Sequence, residues 1–205
     1  MIVIGITGGI GTGKSTVTEY LEKNGFFVID SDRISHEVTA KGSPLLTVIA
    51  EAFSPDVITA DGELDRKRMS EIVFSDPEKR LLLQSIVTEK IISCSEDMLK
   101  ALREENPDRL VFFDAPILFE TRAHEIVDFS WVVTADEDVR IARVMARDGV
   151  TEDKVRARIA SQMPEAEKIA RADEVIDNSS DLESLYKKID ILTEKYLFLL
   201  TNGLG

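Results

Sequence analysis

The chain has 205 residues, of which 43% are apolar and 31% charged. That make-up fits one globular domain, or one with a modest insertion, and excludes a disordered or collagen-like chain. Its 25 Lys and Arg against 38 Asp and Glu leave a net charge of -13, which argues against nonspecific binding to nucleic acid or an anionic membrane, because such binding needs a basic surface that releases phosphate counterions.

The first apolar run, Ile2-Val3-Ile4-Gly5-Ile6, is short and β-branched, and it stops at a glycine cluster. This pattern predicts a strand buried on both faces of a parallel sheet. It carries no basic export segment and is far shorter than the roughly 20 residues of a membrane span. Next comes Gly8-Gly9-Ile10-Gly11-Thr12-Gly13-Lys14-Ser15, which fits G-x-x-x-x-G-K-[ST] between a predicted strand and a predicted helix. The glycines let the loop wrap so that backbone N–H groups point at phosphate oxygens, and the following helix adds the positive end of its dipole. On this reading Lys14 reaches the β and γ phosphates, Ser15 gives its hydroxyl to Mg2+, and Thr16 bonds phosphate from the first helical turn. Val17, Tyr20 and Leu21 form the buried face of the helix, which Asn24-Gly25 stops.

A second strand, Phe26-Phe27-Val28-Ile29, ends in Asp30-Ser31-Asp32. Ligands of a doubly wound sheet lie at the carboxyl ends of its strands, so Asp32 is a candidate base for an acceptor hydroxyl. The competing reading is that Asp30 or Asp32 caps a helix starting near Ile34. Helical patterns follow over Ile34–Ala40, Pro44–Phe53 and Arg66–Phe74. A long one is then opened by Ser75-Asp76-Pro77-Glu78, whose Ser and Glu have capping-box spacing.

Leu110-Val111-Phe112-Phe113-Asp114 predicts a third strand, with Asp114 placed to meet a metal directly or through water. The following Pro116-Ile117-Leu118-Phe119-Glu120 is either a substrate wall or a packed turn. Phe129–Val133, with Trp131 in the core, and Glu174-Val175-Ile176 are further strands. Leu182, Leu185, Tyr186, Ile189, Leu192 and Tyr196 form the stripe of a last helix. Between them Val139–Ala172 is basic in an acidic chain. Arg140, Arg143 and Arg147 share one helical face there, either as a lid over phosphates or as a solvated ion-paired face. Cys94, the single cysteine, cannot form an internal disulfide, so a reducing compartment, the cytoplasm, is expected. His36 and His124 lack metal-ligand spacing.

The loop alone leaves kinase, GTPase and transport ATPase open. Neither Asp-x-x-Gly, Asn-Lys-x-Asp nor Leu-Ser-Gly-Gly-Gln occurs, which leaves small-molecule kinases. The expected fold is a three-layer α/β P-loop domain over residues 1–205: about five parallel strands with helices on both faces, a helical acceptor part over about 33–107 and a helical lid over about 138–172.

The chain resembles the dephospho-coenzyme A kinase family over nearly its whole length. The resemblance rests on Gly5–Thr16, Val28-Ile29-Asp30-Ser31-Asp32, Asp61-Gly62-Glu63-Leu64-Asp65-Arg66 with Ile72-Val73-Phe74, Pro116–Glu120, Gln162 and Ala172–Asn178. It implies Mg2+- and ATP-dependent phosphorylation of the ribose 3′-hydroxyl of dephospho-coenzyme A, with Asp32 as base and Arg143 and Arg147 as lid arginines. It also implies that Arg140, Asp177 and Asn178 lie beside ATP, with Asp32, Pro116, Leu118 and Glu120 on the acceptor side. The chain departs from the family at Leu83-Gln84-Ser85-Ile86-Val87-Thr88-Glu89, where Leu-Glu-x-Ile-x-His-Pro is usual, and at Arg140, where glutamine is common. Two other readings stand beside this one: a kinase of the same fold with another nucleotide or nucleoside acceptor, and an ATP-binding regulatory protein without transfer.

Overall fold

The structure, a computed structural model, describes residues 1–203. Its central sheet holds five strands in the order β2-β3-β1-β4-β5: β1 Ile2–Gly8, β2 Phe27–Asp30, β3 Leu110–Asp114, β4 Phe129–Thr134 and β5 Glu174–Asp177. The β1–β3, β1–β4 and β4–β5 pairs are parallel, so the α/β architecture expected of the sequence is the one found. β1, β3 and β4 are almost wholly buried, which is why their sequences read as continuous apolar runs rather than alternating ones.

Two compact units divide the chain. The first, Met1–Ile29 with Leu102–Gly205, carries most of the sheet. On one face Ile2, Ile4 and Ile6 meet Val17 and Leu21 of α1 (Lys14–Lys23) and Leu185, Ile189, Leu192 and Tyr196 of α9 (Leu182–Asn202), with Phe112 and Trp131 in the same core. The stripe of the last helix is this contact. On the other face Gly5 lies against Leu118: a Cβ there would stand 2.8 Å from a Leu118 methyl. A smaller cluster joins Ile141 and Val144 of α6 (Glu137–Asp148) to Val155 of α7 (Glu152–Ala160), with Ile10 packed on it. α8 spans Glu165–Arg171 and packs on β4.

The second unit, Asp30–Ala101, is helical: α2 Ser31–Val38, α3 Pro44–Ala52, α4 Arg66–Ser75 and most of α5, Pro77–Glu105. Two local expectations are corrected here. α2 begins at Ser31, three residues earlier than expected, because Asp30 caps it. At the start of α5 the cap is Asp76, whose Oδ1 accepts from the N–H of Glu78 and of Lys79 at 3.0 and 3.2 Å. The Ser75 hydroxyl instead donates back to the carbonyls of Glu71 and Ile72. Asp76 wins over the expected Ser75–Glu78 box because its carboxylate reaches two free N–H groups at once.

Candidate active site

The loop after β1 is built on backbone that only glycine takes easily. Gly11 and Gly13 have φ of +80° and +85°, and a Cβ on Gly13 would fall 2.1 Å from Asn178 Nδ2. Gly13 also opens α1, and no side chain caps that helix among the described residues. The first N–H groups of α1 therefore stay available at the positive end of its dipole, which suits an anion.

Tertiary contacts fix the loop from several elements. Asn178, just past β5, is buried; its Nδ2 donates to Thr12 O at 2.8 Å, its N–H donates to Thr134 O at 2.8 Å, and its carbonyl accepts from Arg143 Nη2 at 2.9 Å. Thr12 Oγ1 closes the turn onto Gly9 O at 2.9 Å. Two buried polar atoms here have no partner among the described residues, Asn178 Oδ1 and Arg143 Nη1, and the second lies 3.8 Å from where a Gly13 Cβ would stand. A buried unmet donor or acceptor costs about 1–3 kcal/mol. One unmet donor and one unmet acceptor beside an uncapped helix start mark a place that a polar ligand completes.

The remaining candidates differ in how far they are already engaged. Lys14 Nζ is ion-paired with the Asp114 carboxylate at the end of β3. The strand register places Asp114 beside Ile6, two residues short of the loop, so the cation and carboxylate meet at the carboxyl ends of β1 and β3. Ser15 is exposed in the first turn of α1. Its hydroxyl and the Asp114 carboxylate are hard oxygen donors of the kind Mg2+ takes, so the donor set fits that ion.

Arg140, Arg143 and Arg147 all lie on α6, yet their surroundings grade from buried to exposed. Arg140 is 5% exposed; its Nε donates to Ile10 O at 3.0 Å and its Nη1 pairs with Glu165 at 2.7 Å. Burial pushes the Glu165 carboxyl up from its ordinary value against the lowering pull of Arg140. Arg147 is exposed and lies across Asp148, which Arg158 also bonds at 2.6 Å; these guanidiniums hold the Asp148 carboxyl below the usual range.

After β3, Leu118 is fully buried against Gly5, and Ile117 is the apolar side chain that solvent reaches. Pro116 O accepts from Thr7 Oγ1 at 3.0 Å and from Lys168 Nζ at 3.2 Å, while Glu120 pairs with Lys168 at 2.7 Å. In the second unit Asp30 Oδ1 accepts from Asp32 N at 2.8 Å and Arg33 N at 3.2 Å. The capping role thus falls to Asp30. The Asp32 carboxylate is left exposed, with no protein partner among the described residues.

Sequence reading passed over Glu165, saw in Thr7 and Gln162 only motif positions and in Lys168 only one cation of the basic stretch, although Gln162 Oε1 accepts from Ile10 N at 2.9 Å. No local signal marks such residues, since their partners lie far away in the chain.

The dephospho-CoA kinase family profile matches residues 2–184. Dephospho-CoA kinases of Carboxydothermus hydrogenoformans and Aromatoleum aromaticum are 39% and 44% identical to the chain over 194 and 196 residues, 95% of it and 94% of each relative. Among solved structures, a dephospho-CoA kinase from Campylobacter jejuni superposes with a TM-score of 0.72 at 26% identity, covering 96% of this chain and 97% of its own. TT1252 from Thermus thermophilus does so with 0.71 at 34%, covering 95% and 97%. Together with the loop, the parallel sheet and the polar atoms left open beside Gly13, these likenesses are decisive: the chain belongs to the dephospho-CoA kinase family.

Proposed function

We propose that the chain transfers the γ-phosphoryl group of ATP to the ribose 3′-hydroxyl of dephospho-coenzyme A, giving coenzyme A and ADP. The observation that carries this reading is the uncapped start of α1 after Gly13, flanked by the unpartnered Arg143 Nη1 and Asn178 Oδ1, in a chain of this family. Gly8, Gly9, Gly11, Thr12 and Gly13 wrap the phosphates, Thr16 bonds them from the first turn of α1, and Lys14 leaves Asp114 to neutralise the β and γ oxygens. Asn178 and Arg143 take the polar atoms of the nucleotide; Arg143, with Arg147 once drawn off Asp148, stabilises charge on the transferring group. Mg2+, held by Ser15 and through water by Asp114, would supply further charge neutralisation.

Asp32 is the base. Its carboxylate is free because Asp30 does the capping, so it can accept the hydroxyl proton as the phosphoryl group departs. The helical stretch of about 33–107 is the acceptor-binding part, and within the first unit Pro116, Leu118 and Glu120 belong to the acceptor side, where Ile117 rather than the buried Leu118 meets solvent. The α6–α8 region, about 138–172, is the lid, and Arg140 supports ATP through Ile10. The reducing cytoplasm suits the free, half-buried thiol of Cys94.

Gln84, Thr88 and Glu89 on α5 favour a second reading, transfer to another nucleotide or nucleoside, because Thr88 can hydrogen-bond but cannot titrate near neutrality. The test is ADP release from Mg-ATP with dephospho-coenzyme A, AMP, CMP or adenosine. Turnover with dephospho-coenzyme A alone supports the first reading, and turnover only with another acceptor replaces it by the second. ATP binding without ADP from any acceptor would leave a regulatory binder.

A further inference from the structure

One short stretch, Gln162 to Arg171, bonds two loops of the first unit, the phosphate loop and the loop after β3. On one side it engages both backbone polar groups of Ile10 at the tip of the phosphate loop, the N–H directly and the carbonyl through Arg140. Gln162 Oε1 accepts from Ile10 N at 2.9 Å, and Glu165 fixes Arg140 at 2.7 Å, whose Nε donates to Ile10 O at 3.0 Å. On the other side it holds the loop after β3. Lys168 Nζ donates to Pro116 O at 3.2 Å and pairs with Glu120 at 2.7 Å; Arg171 Nη1 donates to Phe119 O at 2.9 Å with its guanidinium 4.8 Å from the Phe119 ring centroid.

Two of these cations are among the most buried charges of the chain, Arg140 at 5% and Lys168 at 3% exposure. Burying charge is unfavourable unless partners satisfy it, so each link holds a strict geometry. A cavity of about 200 Å3 lies among Gly9, Arg140, Gln162, Glu165 and Lys168. Around that cavity the two loops are joined by polar links rather than by a filled apolar core.

We propose that Gln162, Glu165 and Lys168, with Arg140, form a positioning brace that sets the tip of the phosphate loop against the Pro116–Glu120 loop, so that displacing either loop displaces the other. None of the four has to touch substrate. The inference rests on the kinase reading for its catalytic consequence: phosphoryl transfer needs its two partners aligned, and a misplacement of about 1 Å can cost on the order of 10²-fold in rate.

The decisive variant is Lys168→Met, which keeps the stem and removes bonds made only to the Pro116–Glu120 loop. ATP affinity, by calorimetry on the purified full chain, is expected to weaken about fivefold, on the order of 1 kcal/mol. Amide exchange is expected to quicken in the Gly8–Gly13 loop as well as in Pro116–Glu120, and Lys168→Arg should recover most of the affinity. Reciprocally, Arg140→Gln should quicken exchange in Pro116–Glu120. Where either variant folds poorly, Glu165→Gln removes only the charge that fixes Arg140 and should show the same crossed effect more weakly. Loosening confined to the loop each residue bonds, or ATP affinity unchanged in Lys168→Met, would overturn the brace. A wild-type chain that binds ATP yet phosphorylates no acceptor would sink the kinase reading and leave these affinity and exchange measurements readable.

Discussion

Asp30 and Asp32 stand two residues apart with the same chemistry and different work. Asp30 spends its carboxylate on two backbone N–H groups at the start of α2, whereas Asp32 keeps its own free. Asp30→Ala should therefore cost about 0.5–2 kcal/mol in urea unfolding, the usual loss for an N-cap. Asp32→Asn should leave the unfolding midpoint where it is, lower kcat by about 10² to 10⁴ and change ATP affinity little. An Asp32→Asn enzyme with near wild-type turnover removes the residue from the base role. Lys14→Ala should abolish transfer, since it removes the cation that the phosphate loop itself brings to the β and γ oxygens. Gly13→Ala combines a left-handed φ of +85° with a Cβ 2.1 Å from Asn178 Nδ2. Because αL backbone alone costs an L-residue about 1–2 kcal/mol, ATP affinity should fall at least about tenfold; a titration showing unaltered affinity would contradict the tight loop.

At the scale of elements, α6 shows why spacing alone misjudges an arginine face. Three and four residue steps put Arg140, Arg143 and Arg147 on one side of the helix, but what meets that side changes along its length. Near the amino end it is the phosphate loop, in the middle Asn178, and at the carboxyl end Asp148 and solvent. Arg147 consequently has the freedom to move that Arg140 lacks. Asp148→Asn removes its ion-pair partner. The folded-state carboxyl of Asp148 is depressed, so the stability it contributes is present above the unfolded pKa and is lost as pH falls through the folded one. The difference in unfolding midpoint between wild type and Asp148→Asn should be small, as for exposed pairs, and should shrink on acidification. A gap that widens towards low pH would reverse the assignment.

For the whole molecule, the core between β1, β4, α1 and α9 supplies a pH signature at the opposite extreme. Tyr196 is buried there, 1% exposed, and burial together with the nearby Glu174 carboxylate pushes its phenol up to about 12 from 10.0. The folded state holds this proton longer than the unfolded chain does. Stability due to the neutral phenol is hence lost as pH rises from about 10 to about 12, at about 1.4 kcal/mol per unit at most. Tyr196→Phe cannot titrate and should lose less stability than wild type over that interval in urea melts. Parallel loss in both proteins would show that the phenol is not held neutral by the fold.

How much was legible in the chain follows from how local each cause is. Strand runs buried on both faces, the glycine loop with its Lys and Ser, the stripe of α9 and the helical middle are written in neighbouring residues, so composition and period were enough to find them. The choice between Asp30 and Asp32, the cap at Asp76 rather than Ser75, and the engagement of Lys14 by Asp114 were not, because each depends on which N–H or charge comes within about 3 Å once the backbone is placed. The same holds for Asn178 against Thr12, 166 residues away, and for Lys168 against Pro116, 52 away. The sequence by itself determined the sheet, the phosphate loop and the family's motifs, since these need only short-range pattern. Tertiary structure alone decided which polar groups are spent on one another and which, like Arg143 Nη1 and Asn178 Oδ1, are left open, because burial and hydrogen-bond partnership are properties of the folded arrangement.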